Sequence, residues 1–293
     1  MERKEGNGMK ISELLKERAS FSFEVFPPKI EQSLEPLKET LDQLYRFKPD
    51  FISCTYGAGG TNKGRSTELC DMIERSGHDV MPHFTCIGNT KQGVRDFIGE
   101  YVSMGVENVL ALRGDIPHGL DGTNGDFNNA SQLISFIREN FPSLCLGAAC
   151  YPEKHMEAVS LEEDIKYLKL KQDCGAEFLI TQLCHDVEAY ESFIDQIRKK
   201  QIHLPVIVGI MPALSKDGII RMTVSNGCSI PRELAEIIGK YGDNPEEFKK
   251  AGKEYTIKQI LRYKTAGVNG LHIYSLNKYK DIVDILQASD LCR

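Results

Sequence analysis

The sequence predicts an α/β protein of the (β/α)8 TIM-type barrel class, a single domain over residues 10–293 behind an N-terminal extension, residues 1–9. Three observations carry that reading. Eight short apolar, β-rich segments alternate with longer stretches of helical period. Most recur at the roughly 30-residue interval of a βα unit. Most also end in a hydrogen-bonding or ionisable side chain, as strands do where a barrel gathers its functional groups. A doubly wound open sheet shares the alternation and stays open as the alternative, because sequence does not show closure.

The first segment, SFEVF (22–26), places Phe21, Phe23 and Val25 on one face and Ser22, Glu24 and Phe26 on the other. Pro27 and Pro28 cannot continue a hydrogen-bonded ladder, so Glu24 falls near the carboxyl end of the strand. Ser33 is a candidate N-cap for a helix whose apolar face is Leu34, Leu37, Leu41, Leu44 and Tyr45. The next strands are DFISCTY (50–56), VMPHFTC (80–86) and NVLALRG (108–114). LCLGAACY (144–151), FLITQL (178–183), PVIVGI (205–210) and GLHIYSL (270–276) complete the eight. Roughly sixty residues separate the last two, room for an extra helix within SIPRELAEIIGKYGDNPEEFKKAGKEYTIKQILRYKTAG. The strand ends carry Glu24, Thr55 and Tyr56, His83 and Thr85, Arg113 and Asp115, Tyr151 and Glu153, Gln182, and Tyr274 with Asn277.

Composition narrows the function classes. The chain has 293 residues, 41% hydrophobic and 27% charged, ordinary for a soluble globular protein. A net charge of −6 and a pI near 5.7 argue against a nucleic-acid partner, which demands a basic face. The longest apolar run, around PVIVGIMPAL (205–214), is too short to span a membrane. No signal-peptide core precedes it. Nine cysteines without a CxxC pair read as reduced thiols of a cytoplasmic protein.

Several motifs invite chemistry, and each has a plainer reading. YGAGGT (56–61) follows a strand but lacks the third glycine of a dinucleotide fingerprint, so a flexible loop at a barrel mouth fits better. His83 and Cys86 lack a second pair at zinc spacing, which favours a hydrogen-bonding histidine and a buried thiol. LRGD (112–115) is either a self-paired turn or an anion-binding arginine beside a carboxylate. YPEKH (151–155) puts a tyrosine, a carboxylate and a histidine on one loop, and Asp164, Tyr167 and Lys171 follow at helical offsets that ordinarily mark a solvated face. Glu24 poses the sharpest choice. Inside a strand buried on both faces its carboxylate is costly unless paired or neutralised; in a one-sided sheet it merely faces water.

In conjunction, FSFEVFPPK, FISCTYGAGG, PHFTC, LALRGD, AACYPEKH, DCGAEFLITQ, GIMP and HIYSLNK resemble the methylenetetrahydrofolate reductase family, in the same order and at similar spacing from about residue 10 to 280. The resemblance implies a (β/α)8 barrel that holds FAD without a Rossmann domain and reduces 5,10-methylenetetrahydrofolate to 5-methyltetrahydrofolate, with NADH or NADPH as electron donor. It makes Glu24 the general acid that protonates folate N10, so that the ring opens to a 5-iminium cation able to accept hydride from flavin N5. Such an acid must stay protonated near neutrality, and burial among Phe21, Phe23 and Phe26 is expected to raise its pKa. Asp115 corresponds to the catalytic carboxylate near the flavin and pterin rings. The FAD positions map onto Thr55, Tyr56, Ala58, His83, Arg113, Gly114, Asp115, Ala130, Tyr151, His155, Asp164 and Lys171, with Arg113 and Lys171 suited to the pyrophosphate. Gln182, Tyr274 and Lys278 map onto the folate contacts. No resident metal is implied, and a homo-oligomer is.

The chain also departs from the family pattern. GIMPALSKDG carries no aromatic residue where some bacterial members stack one on substrate or nicotinamide. Lys278 stands in place of an arginine, and Tyr167 and Leu170 occupy flavin-lining positions that are polar or basic elsewhere. Two other readings follow: a flavoprotein subunit drawing electrons from a partner protein, and a metal-dependent barrel methyltransferase built on His83 and cysteines.

Overall fold

The structure, a computed structural model, describes residues 8–29, 31–56, 63–117 and 119–291. The eight expected strands are present: β1 (Ser20–Val25), β2 (Phe51–Cys54), β3 (Val80–Thr85), β4 (Asn108–Leu112), β5 (Cys145–Cys150), β6 (Phe178–Thr181), β7 (Val206–Ile210) and β8 (Gly270–Tyr274). All pair in parallel in sequence order, and β1 pairs with β8, so the sheet closes. That settles the choice between barrel and open sheet. Each strand except β7, which ends at Ile210 as expected, stops a residue or more short of the expected span at its carboxyl end, and the released residues form the loops of the mouth.

Period two decides which side chains face inward. Phe51, Met81, Leu110, Cys145, Phe178, Ile180 and Ile207 pack together as the interior floor. Gly147 on β5 makes room for them, since a Cβ there would lie 2.5 Å from the Phe178 ring. Alternate residues, including Phe21, Phe23 and Val25 of β1, form the outer layer. They meet α2 (Glu35–Tyr45) through Leu37, Leu41 and Leu44. Ser33 does serve this helix, its hydroxyl accepting from Glu35 N at 3.1 Å, although Leu34 takes the N-cap position itself.

The remaining helices follow the βα alternation: α3 (Lys63–Arg75), α4 (Lys91–Met104), α5 (Ala130–Asn140), α6 (Leu161–Asp173) and α7 (Val187–Lys199). Thr90, Asn129, Ser160 and Asp186 accept from backbone N–H groups in the first turns of α4 to α7, fixing where each helix leaves the mouth. Between β7 and β8 lie α8 (Lys216–Ser225), α9 (Arg232–Tyr241) and α10 (Pro245–Thr265), more than the single extra helix the spacing requires. They enclose a satellite core of Leu183, Met211, Ala213, Ile219, Leu234, Phe248 and Tyr255. The last helix is α11 (Tyr279–Ala288). No described helix is long and apolar enough to cross a membrane.

One element has no counterpart in the sequence reading. Helix α1 (Ile11–Glu17) lies across the amino-terminal end of the barrel and inserts Ile11 into the interior floor. Asn108 of β4 holds it: its Oδ1 accepts from Ile11 N at 2.8 Å, and its Nδ2 donates to Met9 O at 3.1 Å. Replacing Asn108 by Ala leaves a buried N–H without an acceptor, which costs about 1–3 kcal/mol. Thermal unfolding of Asn108→Ala is therefore expected several degrees lower, with folding retained; an unchanged Tm would mean that α1 does not depend on this clamp.

Candidate active site

The inward face of β1 carries Ser20, Ser22 and Glu24, so the carboxyl stands at the top of the interior, where the barrel opens. Its side chain is 21% exposed, toward the mouth, and otherwise enclosed. Its neighbours are uncharged groups. Glu24 Oε2 lies 3.6 Å from His83 Nε2 on β3 and 4.0 Å from His272 Nε2 on β8. Burial pushes the Glu24 carboxyl up to about 8 and lowers the two imidazoles to about 4 and about 3. All three groups are therefore neutral at pH 7, and the pair is not a salt bridge.

This answers the choice posed by the first strand: Glu24 is neutralised by burial. The surroundings differ from those expected, however. Phe21 and Phe23 point outward against the helices, and Phe26 is 42% exposed. The barrel interior itself, including Tyr274, makes the low-dielectric site. Tyr274 crosses the mouth from β8 and donates to Thr181 O at 3.0 Å. It passes over Gly209 of β7, where a Cβ would lie 2.3 Å from its hydroxyl. Gln182 follows β6, half-buried, with its Oε1 accepting from Leu183 N.

A second group lies at the ends of β4 and β5. The Arg113 guanidinium grips Glu157 with two parallel bonds of 2.5 and 2.7 Å. That pairing is the main cause of the raised Arg113 pKa and the lowered Glu157 pKa. Within LRGD the Arg113 Nε donates to Gly114 O at 3.1 Å, while its terminal nitrogens reach a carboxylate on another loop. Gly114 has φ +82°, and a Cβ there would lie 2.8 Å from Ile87, so only glycine turns the chain at this point. Asp115 is exposed beside it.

The Tyr151 and His155 rings meet edge to face at 4.7 Å, and the Lys171 ammonium lies 5.7 Å from the Tyr151 centroid. Lys171 donates to Ala149 O at 2.8 Å, and Asp164 accepts from His155 N at 2.8 Å. Burial lowers the Lys171 pKa, with Asp164 opposing the shift. Asp164 and Lys171 are therefore inward-facing members of the mouth, while Tyr167 on the same helix is the solvated one.

Other candidates sit apart. The Tyr56 ring belongs to the outer layer, packed at 5.2 Å against Phe84. Thr55 is half-buried at the end of β2 and accepts from Ser66 at its carbonyl. Ala130 opens α5, and Lys278 is exposed just before α11. Ala58 lies outside the described residues. The Cys86 thiol contacts the Leu112 and Asn129 carbonyls, and burial raises it to about 12. Among the described residues no three His, Cys, Asp or Glu side chains gather as metal ligands. Sequence reasoning missed His272, Ser22 and Ser53, which lie directly beneath Glu24; their inward parity was the available signal.

A folded-state pKa raised from 4.5 to about 8 has a stability consequence. The folded protein binds this proton more tightly than the unfolded chain. Its contribution is fully present below pH 4.5 and is lost as pH rises through about 8, about 5 kcal/mol at most. Glu24→Gln removes the titration. In parallel unfolding measurements the variant should gain on the native protein as pH increases across that window; a constant difference would contradict the buried, neutral carboxyl.

Comparison with known proteins assigns the chain. The methylenetetrahydrofolate reductase family profile matches residues 10–290. The Escherichia coli 5,10-methylenetetrahydrofolate reductase is 32% identical over 258 residues, covering 88% of this chain and 86% of that protein. A probable methylenetetrahydrofolate reductase (NADH) of Oryza sativa is 34% identical over 297 residues, covering 95% of this chain; the chain spans 50% of the plant protein's length. Among solved structures, a Clostridium thermocellum protein described as binding two copies of 5-methyl-5,6,7,8-tetrahydrofolic acid has a TM-score of 0.66 at 17% identity, with 95% and 96% of the chains covered, a likeness of fold. With the family profile spanning nearly the whole barrel, the chain belongs to the methylenetetrahydrofolate reductase family.

Proposed function

We propose that the protein reduces 5,10-methylenetetrahydrofolate to 5-methyltetrahydrofolate, with FAD as resident cofactor, NADH or NADPH as electron donor and Glu24 as general acid. The observation that carries this reading is a carboxyl that keeps its proton near neutrality at the open end of the barrel, with His83, His272 and Tyr274 as uncharged neighbours. Folate ring opening needs that group, because N10 leaves only once protonated. Near its own pKa an acid is both loaded and able to give its proton up. Family membership supports the reaction, and the likeness to a plant reductase named for NADH supports that donor.

The residues present fit FAD. Arg113 already binds an anion in fork geometry, the Glu157 carboxylate, and a pyrophosphate offers the same pattern of acceptors. The Lys171 ammonium stands nearby among Tyr151, His155 and Asp164. His83 Nε2 is a buried nitrogen without a hydrogen-bond partner, facing the mouth beside Glu24. Arg113, Gly114, His155 and Lys171 would hold the phosphates, while Thr55, His83, Asp115, Ala130 and Tyr151 would border the rest. When bound, FAD supplies a two-electron carrier between nicotinamide and folate. Gln182 would orient the pterin, and Tyr274 with Lys278 the folate tail. Asp115 would favour the cationic form of folate by its charge. Glu24 delivers its proton to N10 and recovers it from solvent through its open edge.

A second reading concerns the electron source. Ala213 is buried in the satellite core and Leu214 in the main core, so the segment after β7 offers the mouth no aromatic ring for a nicotinamide. A partner protein would then reduce the flavin. Anaerobic addition of NADH to the purified yellow protein separates the two: bleaching at the turnover rate favours the nucleotide, persistent colour the partner. For the acid, Glu24→Gln should slow the folate half-reaction about 10²- to 10⁴-fold while flavin reduction stays within a few-fold of native. Equal loss in both half-reactions would remove Glu24 from the role of folate acid.

A further inference from the structure

TIM-barrel interiors are ordinarily filled by branched apolar side chains. Beneath Glu24 this one is polar: Ser22 on β1, Ser53 on β2 and His272 on β8 are all buried and in contact. His272 Nδ1 lies 2.7 Å from Ser22 Oγ, and its Nε2 lies 3.0 Å from Ser53 Oγ. Ser22 Oγ is also 3.4 Å from Leu271 O. A neutral imidazole offers one N–H and one lone pair. Only one placement of hydrogens then makes all three bonds: Ser22 donates to Leu271 O, Nδ1–H donates to Ser22, and Ser53 donates to Nε2. The ring is further held in a stacked contact with Phe51, centroids 5.8 Å apart.

The strand register pairs Glu24 with Ser53, so the Ser53 hydroxyl is the donor best placed to turn toward the carboxyl. A hydrogen bond from it would stabilise the carboxylate and release the proton early. Among the described residues no donor bonds the Glu24 carboxyl, and burial alone accounts for its state. We propose that His272 is a positioning residue for the acid: its Nε2 occupies the Ser53 hydroxyl, so Glu24 is offered no donor and keeps its proton until folate arrives. The titratable groups facing Glu24 are His83 on β3 and His272 and Tyr274 on β8, and burial holds each of them neutral. Ser22 on β1, Ser53 on β2 and Thr55 just after β2 do not titrate. The inference rests on the reading of Glu24 as the acid.

Infrared difference titration of the FAD-loaded protein follows the carboxylic C=O stretch of Glu24, with Glu24→Gln identifying the band. Ser22→Ala and Ser53→Ala each delete one buried oxygen, so the loss of packing is matched. Ser22→Ala strips Nδ1–H of its acceptor and favours the Nε2–H tautomer, which frees the Ser53 hydroxyl and turns a donor toward Glu24. The Glu24 midpoint should fall by about one pH unit or more, a tenfold loss of protonated acid above it. Ser53→Ala removes the competing donor and leaves Nε2 open to the Glu24 O–H, so there the midpoint holds or rises. Equal falls in both variants, as loosened packing produces, or no fall in Ser22→Ala, would overturn the proposal. The readout is independent of turnover: a Glu24→Gln enzyme that reduced folate normally would remove the acid role and leave the infrared result standing.

Discussion

The desolvation of a single carboxyl governs this molecule. A carboxylate in water titrates near 4.5, too low to hold at neutrality the proton that the proposed folate reduction would need. Raising it requires that water and positive charge be kept away while one edge stays open. A closed parallel barrel does this at the end of its strands, where backbone groups are already paired in the ladder and side chains alone decide the polarity. Glu24 stands at that end, over neutral imidazoles.

The rest of the fold supplies rigidity in proportion. The apolar floor and α1 seal the amino-terminal end of the barrel, so solvent reaches Glu24 only from the mouth. Side-chain caps on α4 to α7 fix the loops that carry Arg113, Tyr151 and His155, and the Ser160 cap sets the start of α6, which carries Asp164 and Lys171. Gly114 and Gly209 let backbone and the Tyr274 ring pass where a side chain would collide. The two groups of the mouth meet electrostatically at Tyr274, which feels both Glu24 and Tyr151. The proposed acid and the proposed cofactor site therefore belong to one opening.

Much of this was legible in the residues. β-rich segments at a regular spacing announced the eight strands, and Pro27 and Pro28 placed Glu24 near a strand's end. Closure was not legible, because the β1 and β8 pairing joins segments some 250 residues apart. Helix α1 escaped notice since ISELLKE is short and its role depends on Asn108, about a hundred residues away. Parity was the underused signal. It puts Ser22 with Glu24 and Ser53 with Thr55 on the inner face, and Phe21, Phe23 and Tyr56 outside. Read that way, the acid's surroundings are imidazoles and hydroxyls rather than phenyl rings. The Arg113–Glu157 grip spans two loops and has no local signature.

The central claim is that burial keeps Glu24 protonated where the reaction runs. The measurement that tests it most directly is single-turnover oxidation of the reduced flavoprotein by 5,10-methylenetetrahydrofolate, from about pH 6 to pH 10. The account predicts a flat rate that falls tenfold per pH unit above a midpoint near 8, with a slow, pH-independent rate in Glu24→Gln. A rate that already declines through the ordinary carboxylate range, or a native profile retained by the variant, would contradict it.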